Sequence, residues 1–73
     1  MGQDPFRDYY EDLQVNPNAD FETIELVFRL LAKRYHPDNK QTGDADKFSL
    51  IYEAYQLLSD PEKRVAYDAR YEQ

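Results

Sequence analysis

The sequence predicts an all-α domain of four helices, the second and third paired as an antiparallel hairpin around a polar loop. Apolar residues recur at three- to four-residue steps in two long runs, Ile24 to Tyr35 and Phe48 to Leu58, which is the period of an amphipathic helix. Asp8, Asp20 and Asp44 each stand at the head of such a segment, where a helix needs a side-chain acceptor for its first free N–H groups. No segment alternates with the period of a strand, and no repeat or low-complexity tract is present. At 73 residues the chain has room for one small domain. A domain of this size buries only about 60% of its unfolded surface, so its core must be economical.

The first helix runs from Asp8, whose carboxylate caps while Glu11 reaches back three residues later, to about Leu13. Asn16-Pro17-Asn18 makes a turn. The second helix starts on Asp20 and runs to Tyr35, with Ile24, Val27, Phe28, Leu31 and Tyr35 on its core face. A rotation of about 100° per residue gathers Glu22, Leu26, Arg29 and Lys33 on the far side, with Leu30 beside Leu26. Pro37 to Gly43 reads as a loop. The third helix begins at Asp44 and carries Phe48, Ile51, Tyr55 and Leu58 on one stripe, with Ala54 small enough for close helix approach. After Ser59-Asp60, Pro61 takes a first helical position and a polar fourth helix continues to about Tyr71, offering Val65, Ala66 and Tyr67 for packing. Residues 1–7 read as an N-terminal extension, 8–71 as the domain and 72–73 as a tail.

Composition excludes several classes of function. Without cysteine there is no disulfide, thiolate chemistry or cysteine-based zinc site, and a single histidine argues against any metal centre. No cofactor is indicated. No apolar stretch approaches the roughly 20 residues that span a bilayer, and the N-terminus lacks the order of a signal peptide, which points to a cytoplasmic piece with no membrane partner. The Met1-Gly2 start lacks the Ser or Thr that myristoylation wants, because position 6 is Phe6. The net charge of −6 argues against nucleic acid. It is unevenly spread: residues 29–40 carry Arg29, Lys33, Arg34 and Lys40 against Asp38, a local +3 that leaves −9 elsewhere. Such a layout suits docking on an acidic protein surface. The aromatic residues Tyr35, Tyr52, Tyr55, Phe28 and Phe48 read as bulk for a small core, and Lys63 and Arg64 as a solvated charge pair.

Between the hairpin helices stands His36-Pro37-Asp38. Proline stops the preceding helix and biases His36 away from helical geometry, so His36 and Asp38 are presented on an exposed turn. Around this tripeptide come Asp8-Tyr9-Tyr10-Glu11-Asp12-Leu13 upstream, then Ile24, Phe28, Leu31, Ala32 and Tyr35. Downstream follow Lys47-Phe48, Ile51, Glu53-Ala54-Tyr55, Leu58-Ser59-Asp60-Pro61, Lys63-Arg64 and Tyr67-Asp68. In that order the chain closely resembles the J domain of the DnaJ co-chaperone family from about Asp8 to Tyr71. The resemblance implies a J-domain-like fold and a partner, an ATP-loaded heat-shock chaperone of the DnaK type, whose ATP hydrolysis is stimulated and which traps a client polypeptide. Clients would be handled by regions outside this chain. His36, Pro37 and Asp38 would be the signalling element, with Asp38 accepting hydrogen bonds from an arginine of the chaperone. Arg29, Lys33, Asn39 and Lys40 would belong to the chaperone-binding set, while Tyr35 and Phe48 orient the loop.

The chain departs from the family at several positions. Glu25 and Leu30 stand where basic residues are common, Asn39-Lys40 where Arg-Asn is common, and Gln14 where glycine commonly follows the leucine. Weaker or partner-tuned docking is expected, and a left-handed Gln14 would cost on the order of 1 kcal/mol. Leu26 and Leu30 are expected to be exposed, either as isolated surface leucines or as an apolar supplement to the reduced basic patch.

Two rival chemistries fare worse on the residues. Catalysis would need His36 as base, Asp38 as its orienter and Ser49 or Ser59 as nucleophile. Asp38 is expected to point away from the His36 ring, and no oxyanion element is present. Asp44 with Asp46, and Glu11 with Asp12, read as caps and solvated surface rather than catalytic carboxylate pairs. A helix-turn-helix reading of the basic second helix meets too few cations for phosphate neutralisation.

Overall fold

The computed structural model describes residues 7–71, so most of the N-terminal extension and the 72–73 tail lie outside the described residues. Four helices follow in order: α1 Tyr9–Asp12, α2 Phe21–Tyr35, α3 Ala45–Leu58 and α4 Pro61–Tyr71. All four begin on an aspartate. Asp8 Oδ1 accepts the N–H of Glu11 at 3.0 Å, Asp20 that of Thr23 at 2.8 Å and Asp44 that of Lys47 at 3.1 Å. Asp60 accepts from Glu62 at 3.0 Å and Lys63 at 3.3 Å. Each such cap is worth about 1 kcal/mol. The capping bonds hold the Asp20 carboxyl below its usual range. The reciprocal half of the box expected at Glu11 does not form: its side chain is exposed and bonds to nothing among the described residues.

α1 ends in a Schellman turn. Gln14 takes the left-handed conformation, φ 58°, as the family's glycine at that place suggests. Its N–H reaches Glu11 O at 2.9 Å, and the N–H of Val15 reaches Tyr10 O at 3.0 Å. The turn stands without glycine, at the cost of a side chain in left-handed backbone.

The hairpin of α2 and α3 is the frame, and α3 contacts each of the other three helices. The buried core consists of Tyr10, Leu13, Ile24, Leu31, Ile51, Ala54, Leu58 and Tyr67. Ala54 is fully buried, which is what lets the other helices close on α3. Of the aromatics read as core bulk, Phe28, Tyr35, Phe48 and Tyr55 are half-buried, whereas Tyr52 is 47% exposed. One residue past Ile51, Tyr52 is turned about 100° from the buried stripe and lies at its edge. A second correction concerns α4. Val65, expected to pack, is 70% exposed, and Ala66 is also outside. Tyr67 is the α4 residue that enters the core, and Val65, two positions away, is thereby rotated to the opposite face. Leu26 and Leu30 are exposed as the rotation predicts, at 62% and 56%. Among the described residues, no helix is long and apolar enough to cross a membrane.

Arg64 overturns its reading as half of a solvated charge pair. Its guanidinium donates to the Tyr10 hydroxyl at 3.0 Å, to Pro17 O at 3.3 Å and to Ala19 O, tying α4 to α1 and to the turn before α2. The Tyr10 hydroxyl in turn donates to Asp68. The Tyr67 hydroxyl accepts from the N–H of Tyr9 at 2.9 Å and donates to Arg7 O at 2.6 Å. Arg7, placed by the sequence in the N-terminal extension, bonds Asp12 at 2.9 Å and Leu50 O at 3.0 Å and pairs with Glu53. Asp12 is therefore a partner of Arg7 rather than solvated surface.

Candidate functional site

The loop joining α2 to α3 is shaped by its backbone. His36 has φ −56° and ψ 136°, the extended geometry that a following proline imposes, and α2 stops there. The chain then folds back on itself. Asn39 N–H reaches His36 O at 2.8 Å, Gly43 N–H reaches Asn39 O at 2.8 Å, and Asp44 N–H reaches Tyr35 O at 3.0 Å. The last bond clamps the end of α2 to the cap of α3. Thr42 donates its hydroxyl to Arg34 O, satisfying a terminal carbonyl of α2 that the helix itself leaves open.

Two loop residues acquire roles the sequence did not disclose. A Cβ at Gly43 would be driven into the carbonyl oxygens of Asn39 and His36, so glycine is required for close backbone approach. Asn39, expected to face the partner, has its side-chain oxygen engaged with the N–H groups of Gln41 at 3.0 Å and Thr42 at 3.1 Å. A glycine in a polar loop is the only signal the sequence held for the first. An Asn two and three residues ahead of polar N–H groups is a known turn pattern and is the signal available for the second.

The side chains at the tip are placed differently. Pro37 and Lys40 are exposed, and the Asp38 side chain is 94% exposed and accepts no hydrogen bond among the described residues. His36 Nδ1 accepts the N–H of Asp38 at 3.1 Å, which puts the neutral ring's proton on Nε2. The His36 ring meets Phe48 edge to face with centroids 5.3 Å apart. Tyr35 lies beneath the Lys47 ammonium, which is 4.9 Å from its ring centroid. Both aromatics read as loop-orienting thus touch a residue of the loop or its α3 flank. The carboxylate of Asp38 does not point away from the ring, as Oδ2 lies 3.8 Å from Nδ1. The distance is too long for a hydrogen bond, and Nδ1 carries a lone pair already engaged by the backbone. The pair therefore lacks the His N–H to carboxylate bond of a catalytic relay. Ser59 sits past the far end of α3 from the loop, at its C-terminal cap.

On the outer face of α2, Arg29 and Lys33 are both exposed one turn apart. Arg29 is bonded to Glu25 at 3.2 Å, which offsets its charge locally. Lys33, Arg34 and Lys40 make no ion pair among the described residues, so the positive potential of this end rests mainly on them.

A short helix, a long antiparallel pair with an exposed His-Pro-Asp tip and a fourth helix stitched to the first define a J-domain-type co-chaperone module. The family model of the DnaJ domain matches residues 8–68; the chain belongs to the DnaJ domain family. It is 57% identical over 63 residues to the chaperone protein DnaJ of Lacticaseibacillus casei (strain BL23), covering 85% of this chain and 16% of that protein. It is 52% identical over 63 residues to the chaperone protein DnaJ of Listeria monocytogenes serotype 4b (strain CLIP80459), covering 85% of this chain and 17% of that one. The curved DNA-binding protein of Pseudomonas syringae pv. tomato is 52% identical over 64 residues, or 86% of this chain and 20% of that protein. The chain thus spans between a sixth and a fifth of the length of these relatives.

Proposed function

We propose that this domain docks on a DnaK-type heat-shock chaperone in its ATP state and stimulates ATP hydrolysis there, without hydrolytic chemistry of its own. The observation that carries the reading is Asp38, a 94% exposed carboxylate with no hydrogen bond among the described residues, held out on a loop whose backbone is bonded at several points. Such a group is pre-organised to accept charge-assisted hydrogen bonds from an arginine, and little ordering entropy is lost when it does. His36 supports the turn through Nδ1, Pro37 fixes the backbone, and Phe48 meets the His36 ring. Lys33, Lys40 and Arg29 steer the encounter with an acidic surface. Asn39 acts from within the loop by bonding its backbone.

Client polypeptides would be held by parts of a longer protein, and a DnaK-type partner makes the cytoplasm the place of action. The DNA-binding named for the Pseudomonas syringae relative belongs to a protein of which this chain covers 20%. Nothing in the net charge of −6 favours carrying it over.

The test is a single-turnover ATPase assay of an ATP-loaded bacterial DnaK with and without the domain. Wild type should accelerate hydrolysis, and Asp38→Asn should abolish the acceleration while leaving the circular dichroism melt unchanged. Full stimulation by the folded variant would falsify the reading.

A further inference from the structure

Tyr52 lies on α3 at the edge of the buried stripe, 47% exposed, and its hydroxyl makes no hydrogen bond among the described residues. Its ring continues a row of aromatics. Tyr55 stacks on Phe28 at 4.0 Å, Phe28 stands 6.2 Å from Tyr52, Tyr52 is parallel to Phe48 at 6.5 Å, and Phe48 meets His36 at 5.3 Å. The row runs from the middle of the α2–α3 groove to the His-Pro-Asp tip, and Tyr52 is its most exposed ring short of His36 at the tip. On the outer face of α2, Arg29 is paired with Glu25 at 3.2 Å. The row from Tyr55 to Phe48 is made of uncharged rings, whereas Lys33 and Lys40 supply charge elsewhere at this end.

We propose that Tyr52 is a partner-contacting residue that extends the docking site from the tip along α3, where it takes an uncharged, peptide-like strip of the ATP-loaded chaperone. The inference rests on the reading that the His-Pro-Asp tip docks on that chaperone. Continuity argues for this occupant: a surface seated on Asp38 and His36 meets Phe48 and then Tyr52 next. A half-exposed tyrosine supplies ring area at low conformational cost and a hydroxyl able to bond a peptide group, which is why tyrosine is enriched among residues that dominate interfaces. Because the Tyr52 ring is uncharged, its contribution should persist in salt, unlike that of Lys33 and Lys40.

The experiment titrates the whole chain into the single-turnover ATPase assay of an ATP-loaded bacterial DnaK at low and high salt, using wild type, Asp38→Asn, Tyr52→Ala, Tyr52→Gln and Tyr52→Phe. Tyr52→Ala and Tyr52→Gln should raise the half-maximal concentration about tenfold, equivalent to about 1.4 kcal/mol, by a similar factor at both salts. Their rate at saturation should stay at the wild-type level. Tyr52→Phe should fall between them and wild type. Tyr52→Gln keeps a long helix-forming side chain and decides the matter where Tyr52→Ala melts early. A folded Tyr52→Gln with an unchanged half-maximal concentration overturns the proposal while loss of stimulation in Asp38→Asn leaves the docking reading standing. Failure of wild type itself to stimulate overturns both.

Discussion

The two ends of the α2–α3 hairpin are built by opposite means. At the end carrying α1 and α4, side chains bond to residues far away in sequence: Arg64 to the Tyr10 hydroxyl, the Tyr67 hydroxyl to the backbone of Arg7 and Tyr9, and Tyr71 to the Asp8 carboxylate. At the other end the backbone closes the loop through bonds between residues at most nine apart, as in Asp44 to Tyr35, and Asp38, Lys40 and Lys33 are left to solvent. Long-range side-chain bonding is concentrated at the first end, and the proposed recognition at the second, where Asp38, Lys33 and Lys40 are exposed. A loop held by bonds within itself keeps its shape while the Asp38 carboxylate and the Lys40 ammonium at its tip stay exposed.

The largest effect on the stitched end is expected from Arg64→Ala. It removes a charged donor from Tyr10, Pro17 and Ala19, and bonds of this kind are worth about 1.5–3 kcal/mol each when intact. A net loss of about 3 kcal/mol should unfold much of so small a domain. Under conditions where the variant is folded, stimulation of the chaperone should be retained. A melt close to wild type would show that the stitching is cosmetic.

Alkaline pH should act on the same end, with a loss next in size. Burial, with the Asp68 carboxylate beside it, pushes the Tyr10 hydroxyl up to about 12. The Tyr67 and Tyr71 hydroxyls are raised as well, each first of all by desolvation. Folding thus favours the neutral phenol. The stabilisation is complete below the ordinary tyrosine value of about 10 and is lost as pH rises through the folded-state value, Tyr10 alone accounting for roughly 2–3 kcal/mol. Urea midpoints should be flat to about pH 10 and fall steeply between about 10 and 12. In Tyr10→Phe the fall should be shallower, and an equal slope in both proteins would exclude Tyr10 as its source.

Gly43→Ala probes the exposed end. The added methyl meets the carbonyls of Asn39 and His36, so the loop has to open. The expected cost in stability is about 1–2 kcal/mol, as for overpacking generally, yet loss of ATPase stimulation should be near complete. Normal stimulation would mean that the loop's closure is dispensable.

The smallest effect is expected from replacing both Leu26 and Leu30 with Lys. Each is more than half exposed on the outer face of α2, and such surface changes fall within about 0.5 kcal/mol per site. The thermal melt should hardly move. Any change in the half-maximal concentration for stimulation then measures what these leucines add to docking, and an unchanged value marks them as isolated surface leucines.

Helix positions were legible in the sequence because each depends on local chemistry. Aspartate caps, a proline after His36 and apolar steps of three and four act over a few residues. On that basis α2 was expected to run from Asp20 to Tyr35, and it does so with Asp20 as its cap. The exposed tip was legible for the same reason: proline fixes its own backbone and that of the residue before it.

What a polar side chain bonds to across the fold was not legible. Lys63 and Arg64 are adjacent and similarly charged, yet Lys63 is exposed while Arg64 reaches residues 45 to 54 positions away. Their fates differ because α4 turns about 100° between them, and the phase of that rotation is set by which face Tyr67 buries. Tyr52 was misplaced into the core and Val65 into the packing by the same omission. Composition and period specify that a helix has an inner face. For a short polar helix such as α4, with few apolar residues to mark that face, only packing against α1 and α3 decides which one it is. Gly43 is the backbone counterpart: glycine signals freedom, but the need for it arises from two carbonyls that approach only when the loop is closed.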